Sequence, residues 1–269
     1  MPQITVAGIG FRYLLEGPDD APVVAFSNSL GATLEMWDAL IPALAGRFRT
    51  LRYDTRGHGG SDTRDRPVAV ADLAQDLAGL LDTLGIDRAH LVGLSLGGMT
   101  VQALASADPE RALSATLMAT AAYMPSTQSW DERAATVRAH GTASVVEATL
   151  GRWFTPDFVR RDPAAVQSVR ERFLACDPAG YAVCCGAIGR MDLRPALSAI
   201  TTPTLVIAGR DDPSTPPAMA EEICGGIVQA ELVVLPRAAH LLAVERAEAV
   251  GSYLRAFLDR TARGAEPGR

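Results

Sequence analysis

The chain predicts an α/β fold, a mostly parallel eight-stranded sheet flanked by helices, with a helical segment inserted late in the sheet. Three observations predict it. Short β-rich runs alternate with helical patterns over most of the 269 residues. The alternation stops between Ala121 and about Ile200, and PTLVIAG at 203 to 209 resumes it. With 48% hydrophobic residues, the chain has ample material for a buried core.

In chain order, the strands read as Ile4 to Val6, Phe11 to Leu15, Val23 to Ser27, Arg49 to Tyr53, Ala89 to Gly93, Ser114 to Met118, Thr204 to Gly209 and Leu232 to Leu235. Between the fourth and fifth lies a helix. Its Val70, Leu73, Leu77, Leu80 and Leu84 recur at three- and four-residue spacing, one apolar stripe facing the sheet, and Gly85 stops it. The segment 121–200 has no β-rich run, several helical patterns and punctuation at Pro125, Pro156, Pro163 and Pro178, so it reads as a helical cap inserted into a core of 1–120 and 201–269. Pro203 stands at a strand entrance, where a missing N–H costs little. The polar tail RTARGAEPGR reads as frayed.

A net charge of -6, with no basic cluster longer than Arg160 and Arg161, leaves no electrostatic footprint for nucleic acid, so the expected partner is a small molecule. All 25 basic residues are arginine. That excludes Schiff-base chemistry, pyridoxal-phosphate anchoring and a P-loop lysine, which need an ammonium that arginine cannot supply. MPQITVAGIG lacks the basic and apolar regions of a signal peptide, and the uncharged stretch 112–130 holds Ser, Thr, Gln and Pro. A cytoplasmic protein without a membrane span is expected. Cys176, Cys184, Cys185 and Cys224 lack CxxC spacing and read as buried free thiols. The four histidines are too scattered for a metal site, no nucleotide-binding glycine pattern occurs, and no cofactor is expected.

GLSLG at 93–97 fits Gly-x-Ser-x-Gly between a strand and a helix-compatible run, where the pattern marks a nucleophile on a sharp turn. The flanking glycines let such a turn close and let substrate approach Ser95. A serine hydroxyl needs a histidine to take its proton and an acid to orient that histidine, and on such a sheet they follow in the order acid, then histidine. His58 and His90 precede Ser95 and His140 falls in the helical segment, which leaves His240 in LPRAAHLLAVE. The loop AGRDDPSTPP offers Asp211 or Asp212 as the acid. The backbone N–H groups of Leu96, after the nucleophile, and of Leu30, in SNSLG at 27–31, are the candidate oxyanion donors. DTRGHGGSD at 54–62 reads as a braced loop, with Asp54 and Arg56 holding it by ion pairing and backbone hydrogen bonds.

Together these residues resemble the α/β-hydrolase superfamily and, within it, the 3-oxoadipate enol-lactonases. The resemblance rests on VVAFSNSLG with MWD at 36–38, LRYDTRGHGGSD, GLSLGGM, RWFTP at 152–156, CDPAGYAVCCGAI and MDLR, LVIAGRDDPSTPP and AAHLLAVE, so it spans nearly the whole chain. Asn28-Ser29 stands at the oxyanion loop where many capped hydrolases carry His-Gly. The resemblance favours Asp212, directly before Pro213, as the acid. It implies ring opening of a small carboxylated enol-lactone in bacterial aromatic degradation, by an acyl-enzyme on Ser95. The substrate carboxylate asks for a planar arginine fork: Arg133, Arg138, Arg152 and Arg190 are candidates, with Trp130 and Trp153 as walls. A carboxylesterase or carbon–carbon bond hydrolase of the same fold is the nearest alternative, and a slow-turnover ligand sensor the more distant one.

Overall fold

A computed structural model describes residues 2–264. The first strand, β1 (Gln3–Val6), turns back at Ala7 and Gly8, whose φ values of 48° and 77° match the twist of a tight hairpin. Pairing therefore starts at Val6↔Ile9, and β2 runs Ile9–Glu16, two residues ahead of the apolar run that begins at Phe11. Gly10, a residue depleted in strands, hides this start from the sequence.

The sheet continues with β3 (Val23–Ser27), the short helix α1 (Ile41–Leu44), β4 (Arg49–Tyr53), α2 (Val70–Thr83), β5 (Ala89–Leu94), α3 (Leu96–Ala107) and β6 (Ala112–Met118). Helix α2 forms on the stripe read from the sequence: Val70, Leu73, Leu77 and Leu80 are buried, Asp72 accepts the Ala69 N–H at 2.7 Å, and Gly85 takes φ 68° beyond the end. Strand β6 begins two residues before Ser114 because Ala112 pairs with Ala89.

Between β6 and the next strand the chain makes five helices, α4 (Thr127–His140), α5 (Val146–Trp153), α6 (Pro156–Arg161), α7 (Pro163–Leu174) and α8 (Pro178–Arg190). Three of the punctuating prolines sit at the first turn of α6, α7 and α8, with Thr155, Asp162 and Asp177 as side-chain caps. An isolated bridge, Tyr123↔Asp192, and the Leu193 N–H donated to Ala122 at 2.7 Å pin the two ends of this excursion together. The chain then completes β7 (Thr204–Gly209), α9 (Pro217–Gly226), β8 (Ala230–Leu235), α10 (Leu242–Glu245) and α11 (Ala247–Gly264). Pairing with Thr204 draws Ala230 into β8, ahead of Leu232. The tail is not frayed from its start: residues 260–264 continue α11, which anchors Val250, Leu254, Phe257 and Leu258 in the core, and 265–269 lie outside the described residues.

The eight strands are ordered β1-β2-β4-β3-β5-β6-β7-β8. Pairs β1/β2 and β2/β4 are antiparallel and the others parallel. Strands β3, β5 and β7 are buried at every residue, as parallel strands covered on both faces must be. The order reverses between β3 and β5, the switch point where the loops leaving neighbouring strands diverge and open a crevice at their carboxyl ends.

The loop after β4 braces that crevice. Asp54 accepts the Leu34 N–H at 2.8 Å and the Gly60 N–H at 2.9 Å, while Arg56 forms a two-pronged ion pair with Asp76 of α2, 2.6 Å on each prong. Arg56 and Asp76 are both buried, so removing one strands the other's charge out of water. Asp76→Ala is expected to destabilise the protein by about 3–5 kcal/mol, read from its urea unfolding curve; a loss under about 1 kcal/mol would mean that the pair behaves as a surface contact.

Candidate active site

Ser95 sits where β5 becomes α3, in a conformation (φ 57°, ψ −117°) that few non-glycine residues tolerate. The surroundings hold it there. Its N–H donates to Met118 at 2.9 Å, and its carbonyl accepts the Thr120 hydroxyl at 2.7 Å and the Met99 N–H at 3.0 Å. The glycines are dictated by backbone contact: a Cβ on Gly97 would lie 1.9 Å from the Ser27 carbonyl oxygen, and one on Gly93 would lie 2.1 Å from the Gly97 carbonyl oxygen. No rotamer change relieves a clash with backbone, so α3 lies against the end of β3 only because these positions lack side chains.

The loop leaving β3 is fixed by its own side chains. Asn28 donates to the Tyr53 carbonyl at 2.8 Å and accepts the Trp37 indole N–H at 2.7 Å. The Gly31 N–H donates to His58 Nε2 at 2.9 Å, and His58 Nδ1 donates to the Arg56 carbonyl at 3.1 Å. Burial pushes the His58 imidazole below its ordinary pKa, which keeps it neutral and able to accept. The Ala32 N–H is bonded to Ser29 at 3.1 Å, whereas the Leu30 N–H meets no acceptor among the described residues. Leu96 stands at the first position of α3, where the N–H has no intrahelical acceptor. Ser29, Leu30, Ser95 and His240 line one cavity of about 340 Å³.

His240 follows β8 and is buried; its Nδ1 lies 2.8 Å from Asp212 Oδ2 and 3.2 Å from the Thr215 hydroxyl. Asp212 follows β7 and also accepts the Ser214 N–H at 2.7 Å, the Thr215 N–H at 3.1 Å and the Thr215 hydroxyl at 2.6 Å. Burial pushes its carboxyl up, but the His240 charge and the bonds from His240 and Thr215 outweigh that and hold it below the usual carboxylate range. An ionised Asp212 can only accept, so Nδ1–H donates to it and Nε2 is left to face the cavity side of the ring as the second nitrogen. Asp211 is exposed, its N–H donated to Ala238 at 2.9 Å. The adjacent aspartates are thus divided, one inward and one to solvent.

Arg133, Arg152, Trp130 and Trp153 line the same cavity. Arg133 is oriented by the Tyr181 hydroxyl, at 2.9 Å from Nε and 2.6 Å from Nη2, and by the Thr149 hydroxyl at 2.6 Å. Burial, then the Arg133 charge, push the Arg152 guanidinium below its ordinary pKa. Two candidates lie elsewhere. Arg138 of α4 pairs with Asp65 in the loop before α2 at 2.6 Å, and Arg190 of α8 pairs with Asp131 of α4 at 3.3 Å, so both are held on the outer surface. His90 is a core residue of β5, 2.8 Å from the Ser114 hydroxyl and driven to a pKa of about 4 by burial.

Sequence reading missed three contributors. Thr215 had a local signal, a threonine three residues beyond an aspartate, which favours a side-chain turn. The His58–Gly31 bond and the environment of Glu245 had none, since both join segments far apart in the chain. Among the described residues, no group of three metal-ligating side chains occurs and no helix is long and apolar enough to cross a membrane.

Residues 22–160 match a family described as alpha/beta hydrolase fold, and 182–267 one described as TAP-like protein. The chain is 37% identical to 3-oxoadipate enol-lactonase 2 of Acinetobacter baylyi over 257 residues, 96% of each protein. It is 39% identical to 3-oxoadipate enol-lactonase 1 of the same organism over 203 residues, 75% of each. The crystal structure of the enol-lactonase from Burkholderia xenovorans LB400 superposes with a TM-score of 0.94 at 40% identity, covering 96% of this chain and 100% of that one.

The depressed Asp212 pKa gives a signed expectation. Its ionised form adds stability above the unfolded pKa of about 4, and that stability is lost as pH falls through the lower folded value. The unfolding free-energy gap between wild type and Asp212→Asn should stay level from about pH 8 to 5 and close below about pH 4, measured by denaturant titration at each pH. A gap that widens in acid would contradict the assignment.

Proposed function

The chain belongs to the 3-oxoadipate enol-lactonase family of α/β hydrolases, and on that premise we propose that it opens 3-oxoadipate enol-lactone to 3-oxoadipate through an acyl-enzyme on Ser95. That it is a hydrolase of ester or lactone bonds follows from the family. What supports the carboxylated substrate is one observation: Arg133 and Arg152 face the cavity that holds Ser95 and His240, and neither is paired with a carboxylate among the described residues. Two like charges held in one partly buried space repel, and an anion that enters relieves the repulsion.

In this reading, Ser95 Oγ attacks the lactone carbonyl as its proton passes to His240 Nε2. Asp212 stabilises the imidazolium, with the Thr215 hydroxyl bonded to the same carboxylate oxygen. The Leu30 and Leu96 N–H groups receive the oxyanion. Collapse breaks the ring C–O bond, the imidazolium protonates the departing enolate, and the enol becomes a ketone. Since the leaving group is part of the same molecule, it stays tethered to the acyl-enzyme, where Arg133 and Arg152 hold its free carboxylate. Water deprotonated by His240 then attacks the ester and releases the dicarboxylic acid and free Ser95. Segment 121–200 acts as the cap that supplies the arginines and the Trp130 and Trp153 walls. The reaction fits bacterial breakdown of aromatic compounds.

Freshly generated enol-lactone decides the matter. Ser95→Ala should lower kcat by about 10⁴-fold or more while the protein stays folded; turnover equal to wild type would refute the nucleophile. Replacing Arg152 by Met removes a charge-assisted contact of about 1.5–3 kcal/mol, so KM for the carboxylated lactone should rise about 10- to 100-fold while KM for a neutral lactone of equal ring size stays put. Preference of the wild type for uncharged esters would overturn the substrate class.

A further inference from the structure

We propose that Glu245 is a positioning residue that fastens the His240 loop to the cavity wall, so that base and substrate pocket move as one piece. This rests on the reading of His240 as general base. Glu245 is 4% exposed, and its carboxylate is met by three uncharged donors. Oε2 accepts the Ala239 N–H at 2.8 Å, and Oε1 accepts the Thr155 N–H at 3.1 Å and the Thr155 hydroxyl. Ala239 immediately precedes His240. Leu241, immediately after it, donates its N–H to the Trp153 carbonyl at 2.9 Å. The backbone on either side of His240 is therefore bonded to one short segment of the inserted helices, directly at Trp153 and through Glu245 at Thr155.

That segment also carries the pocket. Arg152 and Trp153 both line the cavity, and Thr155 caps α6 immediately after them. A buried carboxylate is expensive to keep unless its lone pairs are well used. Here the two oxygens serve two different chain segments at once, which a single-acceptor side chain cannot do. A glutamine offers one acceptor oxygen, so it can hold the Ala239 N–H or the Thr155 N–H but not both. On the other side, the Ala238 carbonyl accepts the Asp211 N–H at 2.9 Å, which ties the same loop to the acid's strand. His240 thus hangs between two anchors, and the one made by Glu245 together with the Leu241–Trp153 bond reaches the substrate wall.

The test uses the full-length protein with p-nitrophenyl acetate, a neutral ester that makes no demand on the arginines, and counts competent sites by phosphonate titration. Per titrated site, Glu245→Gln should lower kcat at least about tenfold with KM changed less than about twofold, since a base displaced by a fraction of an ångström slows chemistry rather than binding. Thr155→Val should show the same split, Thr155→Ser should restore the wild-type rate, and the Glu245→Gln Thr155→Val double variant should be no slower than the slower single. The acidic limb of the kcat/KM pH profile should also shift in Glu245→Gln, which a simple loss of folded protein would not produce. Glu245→Gln within twofold of wild-type kcat per site overturns the proposal; if that variant does not fold, the Thr155→Val and Thr155→Ser pair decides by the same threshold. Ser95→Ala run in parallel separates the two layers. Unchanged turnover in Ser95→Ala defeats the acyl-enzyme reading itself, whereas its loss together with a wild-type Glu245→Gln defeats only the positioning role.

Discussion

The constraint on which the rest depends is a contact between backbones. Gly97 of α3 lies so close to the Ser27 carbonyl that no side chain fits between them. That contact brings the start of α3 against the end of β3, and the switch in strand order between β3 and β5 opens the crevice at the same place. The strained Ser95 conformation and the loop through Leu30 follow from this approach. Because packed backbone transmits strain instead of absorbing it, the hydrogen bonds that Ser95 gives to the Met118 carbonyl and accepts from the Thr120 hydroxyl are needed to keep the turn from relaxing.

Around this point the protein sorts its charges by distance from the cavity. Arg56 and Asp76 are buried as a pair beneath the loop after β4, where each compensates the other for lost water. Asp212 is saturated with donors and stays ionised, and His58 is stripped of charge so that it can accept from Gly31. Arg133 and Arg152 line the cavity with no carboxylate paired to either among the described residues, Arg133 held instead by hydroxyls. On the outer surface, by contrast, Arg138 pairs with Asp65. In the proposed function, that pair of cavity arginines is what receives the substrate carboxylate.

Much of this was legible in the sequence because it is local. The 3-and-4 spacing of Val70 to Leu84, the glycines around Ser95 and the prolines opening α6, α7 and α8 are each set by neighbours a few residues away. Strand ends were less legible. Ala112 and Ala230 enter the sheet because a partner strand is there to receive them, and Ile9 because the Ala7-Gly8 turn closes early. The tail past Arg260 is helical for a related reason: Val250, Leu254 and Phe257 bury one face of α11, and the helix runs on from that anchored stretch.

The sequence by itself determined the fold class and the serine turn, and it singled out His240 as the candidate base by elimination, since these depend on periodicity, steric need and chain order. The tertiary structure alone decided which aspartate turns inward, which arginines face the cavity, and what holds the histidine loop. Asp211 and Asp212 are neighbours with the same chemistry; only the position of His240, 28 residues away, distinguishes them. The same holds for Arg152 against Arg138, and for Glu245, whose three donors come from Thr155 and Ala239. Side-chain charge is written in the chain, but its partner is a matter of distance in space, and residues that meet across ninety positions leave no local pattern to read.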